Sequence, residues 1–172
     1  MNPLFDADAI AARVEDMAGE IAADLPEEAL IAPILTGAFV FAADLTRALS
    51  RRGLNCDVDF LHLSSYGEAR VSSGNVKLVK DLQTDIKGRA VLLVDDVLDS
   101  GRSIAFAKRL LADRGADPVR LCVLVDKKTG RAEDVAVDYV GFEAAADDFI
   151  VGYGMDDAGR YRGLPYIGVV EG

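Results

Sequence analysis

The stretch Val91–Ser103, VLLVDDVLDSGRS, constrains the fold more than any other part of the chain. It opens with four apolar residues, Val91 to Val94, the composition of a strand buried on both faces. Asp95 and Asp96 follow directly, then Val97, Leu98 and a third carboxylate, Asp99. A small hydroxyl and glycine turn, Ser100 to Ser103, leads into a helical stripe of Ile104, Ala107, Leu110 and Leu111, stopped at Gly115. A buried strand that ends in polar groups and turns straight into a helix is the repeating unit of a parallel sheet covered by helices.

The rest of the chain reads in the same way. Ile10, Val14, Met17, Ile21 and Leu25 line one face of a helix that Pro26 breaks. Ile31 to Leu35 is a short buried strand, and a second helix runs from about Phe39 to Arg52, closed by Gly53. Val58 to Leu63 reads as a strand, Ser64 to Gly74 as a mobile loop rich in Gly and Ser, and Val76 to Val79 as a strand. Val119 to Val125 is the next buried strand, and shorter strands are predicted at Tyr139–Phe142, Phe149–Val151 and Tyr166–Val170. Strands alternating with helices predict an α/β fold with a mostly parallel sheet covered on both faces. Ligands of such sheets sit beyond the carboxyl ends of the strands, so the loops after Leu35, Leu63, Val94 and Val125 are where chemistry is expected.

A length of 172 residues fits one domain, residues 1–172, and no repeat or low-complexity linker divides it. With 51% hydrophobic and 28% charged residues the chain has material for a core. The net charge of −10 argues against nucleic acid as a partner, because domains that grip it carry a basic face. Cys56 and Cys122 show no zinc spacing and no disulfide framework, which predicts reduced thiols in or near the core. Met1 to Asp8 is polar and acidic, and the apolar runs are far shorter than a membrane span. A cytoplasmic protein without membrane contact is expected.

The turn at Ser100–Ser103 is suited to a phosphate. Free amides at a helix start point at the anion, glycine admits close approach, and the Ser100 and Ser103 hydroxyls add donors. Carboxylates a few residues upstream can accept bonds from sugar hydroxyls or organise magnesium. A lone Asp or Ser here would be read as a helix cap, but capping does not account for three carboxylates at the functional edge of a sheet.

The string resembles the phosphoribosyl-diphosphate (PRPP) binding signature of type I phosphoribosyltransferases. Asp59 to Leu82, containing LSSYGEARVSSGNVKLVKDL, is similar to the mobile-loop region of the hypoxanthine-guanine members, as is FIVGYGMDDAGRYRGLPYIGVV near the C-terminal end. The resemblance covers roughly Ala32 to Val170. It implies the type I phosphoribosyltransferase fold, with a small hood built from the chain ends. It also implies transfer of a 5-phosphoribosyl group from PRPP to a purine, with Mg2+ as cofactor and a homo-oligomer, dimer or tetramer, as the assembly.

Residue by residue, the resemblance implies that Asp95 and Asp96 hold the ribose hydroxyls, although the family often carries Glu where Asp95 stands. Asp99 becomes the acid/base group near N7 of the purine. Ser100, Gly101, Arg102 and Ser103, with the backbone from Leu98, cradle the 5′-phosphate. Thr36 and Gly37 form the pyrophosphate loop, where the family usually has a longer side chain than Thr36, and Arg162 binds pyrophosphate. Lys127 faces O6 of the base, Phe149 stacks on the ring, and the Ile150 backbone meets its edge. Asp156 contacts magnesium beside the purine, which makes Asp95, Asp96 and Asp156 the metal-facing carboxylates. Ser64, Ser65 and Tyr66 head a lid loop over about 64–74. One extra residue within Glu143–Asp148 precedes Phe149. His62, flanked by Leu61 and Leu63, reads as structural.

Other readings keep the fold. One is a xanthine- or guanine-specific transferase. Another is a regulatory protein that senses PRPP or nucleotide, opposed by the acidic charge and by the base-facing set Lys127, Phe149 and Asp156. A phosphoacceptor domain is suggested by Asp95–Asp96 but leaves the Ser/Gly turn unexplained.

Overall fold

The computed structural model describes residues 1–65, 75–128 and 131–171. In chain order its elements are β1 (Pro3–Phe5), α1 (Ala7–Asp24), β2 (Leu30–Leu35), α2 (Phe39–Arg51), β3 (Asp57–Val58), β4 (Leu61–Ser65) and β5 (Val76–Lys80). They continue with β6 (Val91–Leu98), α3 (Arg102–Asp113), β7 (Val119–Lys127), β8 (Tyr139–Ala144), β9 (Ile150–Val151) and β10 (Ile167–Val169). The main sheet has the order β5-β4-β2-β6-β7-β8, with β3 also pairing β2. Its pairs are parallel except β4–β5.

Alternation along β6 explains the layers. Leu92 and Val94 face the core shared with Ile10, Met17 and Ile21 of α1 and Phe41 and Leu45 of α2. Val91 and Leu93 face the opposite core, with Ile104, Ala107 and Leu111 of α3. Both faces of the strand are therefore closed to water, as its unbroken apolar composition requires. Asp6 caps α1 by accepting from the Ala9 amide at 2.8 Å. A separate antiparallel sheet, β1-β10-β9, joins the two chain ends into the expected hood.

Several boundaries differ from the sequence reading. The strand expected over Val58–Leu63 is split into β3 and β4, which pair successive parts of β2. Asp59 makes the break: its carboxylate accepts from its neighbour Phe60 N at 2.9 Å and from Gln83 N, Thr84 N and Thr84 Oγ1 at 2.8 to 2.9 Å. The expected loop starts later, because Ser64 and Ser65 still pair with Lys77 and Val76. Residues 66–74, including Tyr66, lie outside the described residues. β6 does not stop at Val94 but runs through both aspartates, since Val97 and Leu98 continue the ladder against Val125 and Asp126. β1 went unread because three residues carry too little periodicity to register.

Cys122 is fully buried, and burial pushes its thiol well up, which leaves it inert. Cys56 is only half-buried at the edge of the core, and both thiols are free. Among the described residues no helix is long and apolar enough to cross a membrane.

Candidate active site

From β2 the chain moves to one side of the sheet to form β3 and β4, then returns to place β6 on the other side. The strand order thus reverses between β2 and β6, and their carboxyl ends open a crevice. On one wall the Leu35–Thr36 peptide is cis and Gly37 faces the crevice. On the other wall the aspartates of β6 emerge from the core. A Cβ at Gly37 would overlap the Asp96 carboxylate, so any larger residue there would displace that side chain from its present position.

The crevice holds two cavities. The first, about 260 Å³, runs along the turn Ser100–Ser103 and is closed by Asp95, Asp96, Leu63 and Ser65. Gly101, the N-cap of α3, sits at φ 80° and has no side chain to cap with, while the Ser100 hydroxyl accepts from the Arg102 amide at 3.4 Å. Asp99 is therefore not a cap. The alternation that sends Leu93 to the α3 face carries Asp95 there too, where only 8% of it is exposed. Burial, with the Asp96 carboxylate beside it, raises the Asp95 carboxyl well above the usual range. Asp95 Oδ1 accepts from the Asp96 amide at 2.9 Å, and Asp96 Oδ1 accepts from the Val97 amide at 2.8 Å.

The second cavity, about 350 Å³, is roofed by the hood. Lys127, at the end of β7 and only 7% exposed, reaches back to Asp99 with Nζ 3.3 Å from Oδ2. Phe149, Ile150, Met155, Asp156 and Arg162 complete its lining. Arg162 pairs with Asp156 at 3.0 Å and donates to the Gly154 carbonyl at 2.7 Å. Asp156 also accepts from the Gly159 amide at 2.7 Å. Gly37, Asp96, Val97 and Asp99 line both cavities, so the two meet across that wall.

Most predicted site residues converge here, with exceptions. Thr36 is exposed and lines neither cavity. Leu98 offers only backbone, because its side chain is fully buried against the α3 core. Ser65 reaches the first cavity while Ser64, one position along the strand, does not. Arg160 lies exposed over the Tyr161 ring at 5.2 Å, which leaves Arg162 as the arginine in the crevice. The segment before Phe149, where one extra residue is expected, forms a tight turn in which Asp148 N donates to the Ala145 carbonyl at 3.2 Å. Sequence reasoning missed Val97 and Met155, whose apolar side chains carry no signal separating a cavity wall from core.

The carboxylates expected around magnesium are spread over the cavities: Asp95 lines the first, Asp156 the second, and Asp96 both. Among the described residues no group of three or more His, Cys, Asp or Glu side chains could hold a cation unaided. Such a set fits magnesium that arrives on a diphosphate, because this ion commonly takes one or two carboxylates and completes its shell with substrate phosphates and water.

Comparison with known proteins agrees with this geometry. The phosphoribosyl transferase domain family matches residues 2–158. The chain belongs to the phosphoribosyltransferase family. Among relatives of this phosphoribosyltransferase, the hypoxanthine-guanine phosphoribosyltransferase of Bacillus subtilis is 39% identical over 169 residues, spanning 98% of this chain and 92% of the relative. The hypoxanthine phosphoribosyltransferase of Salmonella typhimurium is 40% identical over 164 residues, 94% of this chain and 90% of the relative. The solved hypoxanthine phosphoribosyltransferase of Trypanosoma cruzi superposes with a TM-score of 0.92 at 32% identity, covering 99% of this chain and 91% of that one.

Proposed function

We propose that this phosphoribosyltransferase is a purine salvage enzyme, moving the 5-phosphoribosyl group of PRPP onto a 6-oxopurine, hypoxanthine and/or guanine. The products are IMP or GMP and pyrophosphate. The observation that carries the reading is the pair of cavities sharing the wall Gly37, Asp96, Val97 and Asp99. A reaction joining two substrates needs adjoining seats with polar groups where the new bond forms. A regulatory protein needs no buried lysine across from a carboxylate in the second seat.

In this reading the turn Ser100–Ser103, with the first amides of α3, seats the 5′-phosphate, and Asp95 and Asp96 hold the ribose hydroxyls. Gly37, with the backbone around Thr36, and Arg162 face the leaving pyrophosphate. Phe149 stacks on the purine, Ile150 meets its edge, and Lys127 donates to the 6-oxo group while repelling a 6-amino group. Asp99, held toward the second cavity by Lys127, takes the proton from the attacking base. Positive charge grows on the ribose as pyrophosphate leaves, and the carboxylates of β6 stabilise it. Asp95, Asp96 and Asp156 are the residues that would face Mg2+, which when bound offsets the charge of the departing diphosphate. Ser64, Ser65 and Tyr66 start the lid that keeps water from the reactive centre.

Residues 1–172 act as one domain in a cytoplasmic homo-oligomer, a dimer or tetramer, which light scattering tests directly. The activity is tested by supplying PRPP and magnesium with hypoxanthine, guanine, xanthine or adenine separately. IMP and GMP are expected, with little AMP. Product from xanthine in preference to hypoxanthine would move the assignment to a xanthine-guanine enzyme. No product from any purine would overturn it.

A further inference from the structure

Behind the phosphate turn lies a buried ion pair that the chemistry above does not use. Asp126, on β7 one residue before Lys127, has a side chain only 5% exposed; its Oδ1 is bonded to the largely buried Arg131, and its Oδ2 accepts from the exposed Lys128 at 3.2 Å. Arg131 is held at this one end, since its buried Nε has no partner among the described residues. Immediately after it, the amides of Ala132 and Glu133 both donate to the Ser100 carbonyl, at 3.1 and 3.2 Å. The Glu133 carbonyl closes against Gly101, where a Cβ would stand 2.9 Å from it.

We infer that the Asp126–Arg131 pair, through segment 131–133, locks the Ser100–Gly101 peptide in the orientation that binds phosphate. In a trans peptide the carbonyl and the following N–H point in opposite directions. The cis peptides in the described chain are Leu35–Thr36 and Asp117–Pro118, so Ser100–Gly101 is trans. With the Ser100 carbonyl fixed toward segment 131–133, the Gly101 N–H is turned away from it and toward the first cavity, which Ser100 and Gly101 line. Glycine at positive φ has little intrinsic preference to stop this peptide rotating by half a turn, which would aim an oxygen at the phosphate instead. The two amides behind it supply the missing constraint, and the buried ion pair holds their segment in place. Arg131 and Asp126 are thus positioning residues for PRPP.

This inference rests on Ser100–Ser103 being the 5′-phosphate seat, and the test separates the two. Michaelis constants for PRPP and for hypoxanthine are measured for the parent enzyme, Arg131→Met, Arg131→Lys and Ser103→Ala. These constants do not depend on the fraction of correctly folded enzyme, so partial misfolding of a variant does not imitate the effect. Arg131→Met is expected to raise KM for PRPP about tenfold while leaving that for hypoxanthine within about twofold, and Arg131→Lys to recover most of the loss. A change in the hypoxanthine constant alone would mean that the pair acts through Lys127, and a fall in kcat alone would mean a merely structural pair. Either result overturns the inference. If Ser103→Ala raises the PRPP constant and Arg131→Met does not, the lock is wrong and the seat stands. If Ser103→Ala leaves the PRPP constant unchanged, the seat is misassigned and the lock falls with it.

Discussion

Asp99 and Lys127 show how one contact distinguishes two jobs for the same residue. An aspartate next to a helix start is ordinarily there to cap it, yet the N-cap of α3 is Gly101 and the Asp99 carboxylate lies 3.3 Å from the Lys127 ammonium. Asp99→Asn should keep the fold and lower kcat by about 10²-fold or more across the whole pH range. Near-parental turnover at every pH would remove Asp99 from the chemistry. Asp59 has an opposite, structural duty. Burial raises its carboxyl, but the amide and hydroxyl of Thr84 and the amides of Gln83 and Phe60 outweigh this and bring it down to about 2 from 3.8. Because the folded value lies below the unfolded one, the stabilisation is complete above the unfolded value and disappears as pH falls toward about 2. It amounts to about 2 kcal/mol. Denaturant titrations at several pH values should show that Asp59→Asn lowers stability at neutral pH and flattens the acid limb between these values.

At the scale of elements, the hood and the β2–α2 loop are joined by backbone. Gly154 adopts φ 101°, and a Cβ there would overlap the Gly37 carbonyl. Next to it Tyr153 donates its hydroxyl to Asp44 of α2. Gly154→Ala should therefore destabilise the protein by about 1–3 kcal/mol in thermal or chemical denaturation and raise KM for the purine by lifting the hood. Elements of this kind were unequally visible in the sequence. β7 and the stripe of α1 are long, apolar and periodic, and these are legible nearly to their ends, whereas β6 runs four residues past the expected end at Val94. The strand interruption at Asp59 depends on donors from residues 83 and 84, more than twenty positions away, which no local pattern carries. Val97 carries no signal of its own in the sequence, but its pairing with Val125 extends the strand and sets it on the wall shared by both cavities. The turn Ser100–Ser103, proposed to seat the phosphate, stands out in the sequence because its pattern is local. The Arg131–Asp126 pair behind it does not, since both are ordinary surface types until folding buries Asp126 and partly covers Arg131.

The whole molecule has a net charge of −10 and takes a polyanionic donor, so its overall field opposes the substrate it binds. In the proposed reading local devices overcome that field: backbone amides at the start of α3 and at Gly37, the cations Lys127 and Arg162, and magnesium that would arrive with the diphosphate. Two cores, one on each face of the sheet, keep β2 and β6 side by side, and this holds the two halves of the crevice in register. The antiparallel sheet of the chain ends then closes the second cavity from above. Transfer between the two seats requires that both cavities be occupied together by one joined product. The most direct measurement is a crystal structure with IMP, magnesium and pyrophosphate bound. The account predicts the 5′-phosphate on the Ser100–Ser103 amides, the ribose against Asp95 and Asp96, and the hypoxanthine ring between Phe149 and Lys127 with O6 toward the ammonium. A nucleotide bound in the reverse sense, or outside the crevice between β2 and β6, would contradict it.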